Sequence, residues 1–244
     1  MSWLAFLWMP LVLMAVPAGS GEKYETDVLQ TSAGDLRITF IGHASLMFQI
    51  GGKVIYNDPV GQYGDYGGLP KADLILVAHE HTDHFDPATI ALISTEKTKL
   101  VLTPLCAAKL RRGIAMKNGE EKTVDGIRIE AVPAYNLAHM RSPGMPYHPR
   151  GDGNGYILTF GDKRVYVAGD TENIQEMKGF GRIDVAFLPM NLPYTMTPEM
   201  VADAARMVKP RILYPYHTGE TDTAKIVALL KGEKGIEVRI RKMK

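Results

Sequence analysis

The sequence predicts an α/β fold in which two sheets pack face to face and helices cover the outside. Three observations carry this reading. Many strand-like runs come first in each half of the chain, with helix signals between the later ones. Short apolar, β-branched runs dominate the first half. From Asp35 onward no linker, low-complexity run or fixed-period repeat divides the chain, so one domain is expected. The 244 residues are 45% hydrophobic and 23% charged, which is ordinary globular composition with length enough for one large core.

Taken in order, the first segment stands apart. Residues Trp3 to Val16 are almost wholly apolar, and no charged side chain precedes Glu22. The run is shorter than the roughly 20 residues a bilayer-spanning helix needs. It fits the h-region of a secretory signal peptide, with Val16-Pro17-Ala18 offering small residues for a cut after Ala18. Residues 1–18 are therefore expected to be a signal peptide, with a membrane anchor as the alternative because the n-region lacks Lys and Arg. Residues 19–244 are expected to form the single domain. Export would place the protein in the periplasm or outside the cell. Both tryptophans, Trp3 and Trp8, lie in the leader.

Strands are expected at Leu36–Ile41, Ser45–Ile50 and Lys53–Asn57, with Gly51-Gly52 as a hairpin turn between the last two. Leu74–Ala78 is a continuous apolar run that stops at His79, as a buried strand would. Asp86-Pro87 reads as an N-cap and first turn, opening a helix to about Ser94. Lys99–Leu102, Ile127–Val132, Gly155–Phe160 and Lys163–Ala168 are further strand candidates, the last pair joined at Gly161-Asp162. Val185–Pro189 follows. Thr197-Pro198 opens a helix whose apolar Val201, Ala204, Ala205 and Val208 fall at i, i+3, i+4 and i+7, and Pro210 ends it. Arg211–Tyr214 is read as a strand, Thr221–Leu230 as a helix and Glu237–Ile240 as the last strand.

Composition narrows the chemistry. Lys plus Arg is 28 and Asp plus Glu is 27, so there is no strong nucleic-acid signal. No obligate protein partner is evident either. One cysteine, Cys106, excludes an intramolecular disulfide and any single-chain zinc site with two thiolates; it reads as a small buried apolar residue. Seven histidines remain. The decisive stretch is His79-Glu80-His81-Thr82-Asp83-His84, directly after a hydrophobic strand. In extended chain, side chains two apart point the same way, so His79 and His81 can converge on one ion. A turn after His81 would aim Asp83 and His84 at a second. Val165–Asp170 and Ile212–His217 are apolar strands ending in Asp170 and His217, which could meet the hexapeptide at one sheet edge.

These residues, in this order, with Gly169-Asp170-Thr171, resemble the signature of the metallo-β-lactamase fold superfamily. Gly42-His43-Ala44-Ser45, Asn57-Asp58-Pro59 and His148-Pro149-Arg150-Gly151 resemble its metal-dependent hydrolase branch, which includes ascorbate-6-phosphate lactonase-like and N-acyl-phosphatidylethanolamine phospholipase D-like proteins. The resemblance spans about residues 36 to 240. It implies a four-layer αββα sandwich of the metallo-β-lactamase type with two divalent ions. Zinc suits imidazole and carboxylate ligands best, with manganese or iron as alternatives. His79 and His81 would bind the first ion, Asp83, His84 and His217 the second, and Asp170 both. The third histidine of the first ion is open between His148, which is favoured, and His139. Many relatives carry a histidine where this chain has Asn136.

Such a pair would lower the pKa of a shared water to roughly 7, giving a metal-bound hydroxide that attacks a carbonyl or phosphoryl centre. The expected function is hydrolysis of a small ester, lactone or phosphodiester. N-acylphospholipid phosphodiester cleavage and a catalytically silent metal-binding scaffold are the alternatives. Asp83 would also orient the nucleophile, and His43 would contact substrate or orient a ligand. Asp58 would hydrogen-bond a ligand imidazole. Asn191 and Tyr194 would line the pocket for a small-molecule or lipid-like substrate. The stretches 61–68 and 136–154 are expected to be substrate-facing loops.

Overall fold

A computed structural model describes residues 23–243. The first sheet comprises β1 (Glu25–Thr31), β2 (Gly34–Gly42), β3 (Ser45–Ile50), β4 (Lys53–Asn57), β5 (Leu74–Val77), β6 (Lys99–Leu102) and β7 (Ile114–Ala115), side by side in sequence order. Then come β8 (Glu121–Val124) and β9 (Ile127–Ala134), followed by a small hairpin of β10 (Met140–Ser142) and β11 (Met145–Pro146). The chain continues with β12 (Gly153–Phe160), β13 (Lys163–Val167), β14 (Val185–Pro189), β15 (Ile212–Tyr216) and β16 (Glu237–Val238). The second sheet has the order β16-β15-β14-β13-β12-β9-β8.

Each sheet has an antiparallel part, joined by short turns except between β9 and β12, where residues 135–152 intervene, and a parallel part joined by crossovers. β1 to β4 pair antiparallel, and β4 to β7 parallel. β8, β9, β12 and β13 pair antiparallel, and β13 to β16 parallel. Parallel neighbours need long connections, and these supply the helices. They are α1 (Pro87–Ile93), α2 (Pro104–Leu110), α3 (Pro198–Val208) and α4 (Ala224–Leu229). Asp86 caps α1 by accepting from the Ala88 and Thr89 amides, and Thr197 caps α3 through the Met200 amide.

Three apolar clusters define four layers. Leu36, Phe40, Phe48, Tyr156, Phe187 and Tyr214 fill the space between the sheets. Ile75, Val77, Ile90 and Ile93 seal α1 onto the first sheet. Leu188, Leu213, Val201, Ala205 and Val208 seal α3 onto the second. The periodic face of α3 read from the sequence is the face buried here.

Some elements differ from expectation. β1 is an edge strand with a half-exposed, polar face, so it lacks the apolar run that marks its neighbours. β8 is exposed along most of its length for the same reason. α2 carries a Thr103-Pro104 start of the kind read correctly at Thr197-Pro198, but it is short and buries Cys106. α4 begins three residues later than expected, and β15 runs on through Tyr216. The expected leader, residues 1–18, lies outside the described residues.

Candidate metal centre

The chemistry-bearing residues collect where strands end. His43 follows β2, Asp58 follows β4, His79 lies two residues past β5, Asp170 three past β13, and His217 follows β15. His43, Asp58 and His217 all adopt left-handed backbone at φ +54°, +44° and +48°. Such conformations in non-glycine residues are held by surrounding structure and cluster at functional sites. Here the His217 amide donates to the His43 carbonyl at 3.0 Å, stitching the two sheets together at the site. The His84 and Phe85 amides both donate to the His81 carbonyl. That turn lets Asp83 and His84 face a second set of groups beside His79 and His81, with the His84 ring centroid still 4.2 Å from that of His79.

Three groups of potential ligand atoms result: His79, His81 and His148; His43, Asp83, His84 and His217; and His79, His84 and Asp170. Asp170 stands between the histidine sets. Its Oδ2 lies 3.2 Å from His148 Nε2 and 3.9 Å from His79 Nε2, and its Oδ1 lies 3.2 Å from His84 Nε2 and 3.5 Å from His217 Nε2. Asp83 Oδ2 lies 3.2 Å from His43 Nε2 and 3.5 Å from His217 Nε2. His79 Nε2 and His81 Nδ1 are 3.0 Å apart, close to the roughly 3.3 Å edge of a tetrahedron with metal–nitrogen bonds of about 2.0–2.1 Å.

The donor set fits a divalent cation. His84 Nε2, Asp170 Oδ1 and both ring nitrogens of His217 are buried without a hydrogen-bond partner. Orphaned buried polar atoms are costly unless a partner such as an ion satisfies them. Burial lowers the proton affinity of His79, with His84 adding to it, and lowers that of His81 and His43. Neutral imidazoles keep a lone pair for a metal. Burial alone would raise Asp170 and Asp83, but neighbouring histidines hold both carboxyls far below the usual range. Against its own burial, His84 is pushed up by Asp170 and Asp58. The centre thus favours positive charge between its carboxylates.

Partners behind these atoms fix their aim. Asp58, wholly buried, meets His84 Nδ1 at 2.8 Å and accepts the Ala78 amide at 2.7 Å. That is the role expected of it. Asn136 Oδ1 accepts from both the amide and Nδ1 of His148. Asn136 Nδ2 in turn donates to Glu172. Glu172 also accepts the amides of Leu137, Ala138 and His139, together with His139 Nδ1 at 2.7 Å. His148 therefore joins His79 and His81, while His139 faces Glu172 instead. Glu172 was not singled out from sequence; its only signal was its place directly after Gly169-Asp170-Thr171.

A cavity of about 790 Å³ opens onto the centre. Asn191 and Tyr194 line it, as expected, and so do Arg141 and Tyr147 from the 136–154 stretch. From the 61–68 stretch only Tyr63 reaches it, stacked on His43 with ring centroids 4.2 Å apart. Asp65 and Gly68 face a separate hollow beside Lys23 and Arg37, so this stretch meets the cavity at one residue. Lys109 is a wall residue that no motif marked, and Tyr63, Arg141 and Tyr147 were marked only as members of their loops.

The sequence model of a family described as beta-lactamase superfamily domain matches residues 37–217. A UPF0173 metal-dependent hydrolase of Pelotomaculum thermopropionicum is 29% identical over 221 residues, covering 84% of this chain and 96% of its own. Another, from Thermococcus kodakarensis, is 34% identical over 201 residues, covering 75% and 84%. The crystal structure of an inferred metal-dependent hydrolase from Parabacteroides distasonis is 48% identical, with a TM-score of 0.87 over 91% of this chain and 100% of that one. The chain belongs to the metallo-β-lactamase superfamily, as a metal-dependent hydrolase.

Proposed function

We propose that the protein is a dinuclear hydrolase acting on a small ester, lactone or phosphodiester. The observation that supports this most is Asp170, whose two oxygens face two different sets of histidines. His79, His81 and His148 would hold one ion, Asp83, His84 and His217 the other, and Asp170 both. Zinc suits this set, and manganese or iron would also be accommodated. Divalent ions at such a centre supply Lewis acidity and lower the pKa of water to roughly 7.

The remaining work falls to the chain. Asp170 sets the spacing of the two ligand groups. Asp58 locks the His84 ring by holding its Nδ1, so that Nε2 points inward. His43 Nε2 contacts Asp83 Oδ2 and fixes the carboxylate that orients the nucleophile. Asn191, Tyr194, Tyr147 and Tyr63 wall the cavity and position substrate. Exposed Leu137, Met140, Met145 and Leu192 lie on the segments that carry Arg141, Tyr147, Asn191 and Tyr194. They give the N-acylphospholipid reading one observation in its favour.

Metal analysis of purified protein, paired with an ester, a lactone and a phosphodiester, tests the proposal. Two equivalents of metal are expected, with activity lost on chelation and restored by metal. Metal-replete protein inert on all three substrates would return the scaffold reading. We also propose export with cleavage after Ala18. Mature protein would then lack Trp3 and Trp8, and clear tryptophan fluorescence from exported protein would show that the leader stays on.

A further inference from the structure

Among the described residues, Arg141 and Lys109 line the cavity without a counter-ion. Arg141 sits on β10, where its guanidinium lies 5.8 Å from the centroid of the Tyr147 ring. The Tyr147 ring meets Tyr194 edge-on at 5.1 Å. The same guanidinium approaches His81, with Nη2 3.4 Å from Nε2. Lys109 projects into the same cavity from the last turn of α2. Among the described residues, neither cation has a carboxylate within 4 Å, and Glu80, which also lines the cavity, pairs with neither. Arg128, Arg164 and Arg241, by contrast, pair with Glu121, Glu130 and Asp27.

The contact with His81 would not satisfy Arg141 with a metal bound. His81 Nδ1 is the atom set against His79 Nε2, so it is the nitrogen that would face a metal. A neutral imidazole that gives its Nδ1 lone pair to a metal carries its proton on Nε2. That Nε2–H cannot accept from a guanidinium. Among the described residues Arg141 would then keep the Tyr147 ring as its neighbour while lining the cavity. Planar, always charged and stacked, arginine suits the two-oxygen edge of a carboxylate or phosphate.

We infer that Arg141, with Lys109, forms an anion subsite, and that the substrate carries a carboxylate or phosphate apart from its scissile bond. This rests on the hydrolase reading and deepens it. Arg141 places the subsite on the His81 and His148 side of the centre, and Lys109 lines the same cavity. The opposite wall, His43, Tyr63 and His217, has no cation among its described lining residues. A substrate is thereby oriented, with its anionic end toward β10 and its reacting carbon or phosphorus over Asp170.

The test uses the metal-loaded protein and two matched aryl esters, 4-nitrophenyl hydrogen succinate and 4-nitrophenyl pentanoate. The charged ester is expected to have a kcat/KM about tenfold or more above the neutral one, chiefly through KM, since a hydrogen-bonded charge pair contributes about that factor. Arg141→Ala should collapse that ratio towards one, and Arg141→Lys should recover part of it. Calorimetric titration with glutarate supplies a readout without turnover. Arg141→Ala and Lys109→Ala should each weaken it. Repeating it with 3-phosphonopropionate says which anion fits better. Equal handling of both esters with unchanged glutarate affinity in Arg141→Ala would overturn the subsite and leave the hydrolase reading standing. Arginine-dependent glutarate binding without ester turnover would support the subsite and count instead against ester hydrolysis.

Discussion

At Glu172 a wholly buried carboxylate accepts five hydrogen bonds, three of them from consecutive amides of residues 137 to 139. Burial opposes its charge, yet Asn136 and these amides hold its carboxyl below the usual range. Through Asn136 it fixes His148, and by engaging His139 Nδ1 it keeps that histidine out of the centre. Glu172→Gln replaces one acceptor oxygen with a donor that faces other donors. It is expected to lower metal affinity about 10- to 100-fold, measured by competition with a chelator. His148→Ala is expected to bind less metal than the parent protein, whereas His139→Ala should bind as much; full occupancy in the His148 variant would overturn the assignment. Two histidines that the sequence left as alternatives, with His148 favoured, are separated by which acceptor each one meets.

At the scale of elements, the centre depends on strand ends that approach closely. Gly169 joins β13 to Asp170 at φ +65°, and a Cβ there would lie 2.7 Å from the Asn154 carbonyl and 3.3 Å from Ala78 Cβ. Asn154 N already donates to the Ala78 carbonyl at 2.9 Å, linking β12 to the end of β5 beside His79. Only glycine lets these backbones meet with that turn of the chain. Gly169→Ala is expected to cost about 1–3 kcal/mol of stability and to weaken metal binding, because Asp170 shifts with its neighbour. Denaturant unfolding together with metal titration checks both. Unchanged metal affinity in the folded variant would show that Asp170 is positioned by something else.

Across the whole molecule, the two ends of the described chain close the sandwich. Asp27 on β1 is engaged by Arg241, the Tyr214 hydroxyl and Arg239. The Lys242 amide donates to Glu25, and Met243 is buried between the sheets. Burial works against the Asp27 charge, but the Arg241 hydrogen bonds, then Tyr214, hold its carboxyl below the usual range. The folded pKa is depressed, so this stabilisation is present above the unfolded value of about 3.9 and is lost as pH falls through the folded one. Asp27→Asn should lower the melting temperature at neutral pH, with a gap from wild type that narrows as pH drops below about 4. Melts recorded across that range measure the gap, and a gap constant with pH would count against this ion cluster.

The sequence by itself determined the ligand chemistry and its local arrangement. Six consecutive residues set His79 and His81 on one side of a turn and Asp83 and His84 on the other, because alternation and turning are short-range backbone properties. The apolar strands ending near Asp170 and at His217, and the Thr197 and Asp86 caps, were legible for the same reason. Edge strands β1 and β8 were not, since an element covered on only part of its surface needs no apolar run. Only the tertiary structure decided which distant groups meet. It brought His148 rather than His139 to the centre through Glu172 and Asn136, and it put Arg141 and Lys109 on the lining of one cavity. It also joined the two sheets at His43 and His217. Those outcomes rest on hydrogen bonds and packing between segments dozens of residues apart, which leave no periodic trace in the chain.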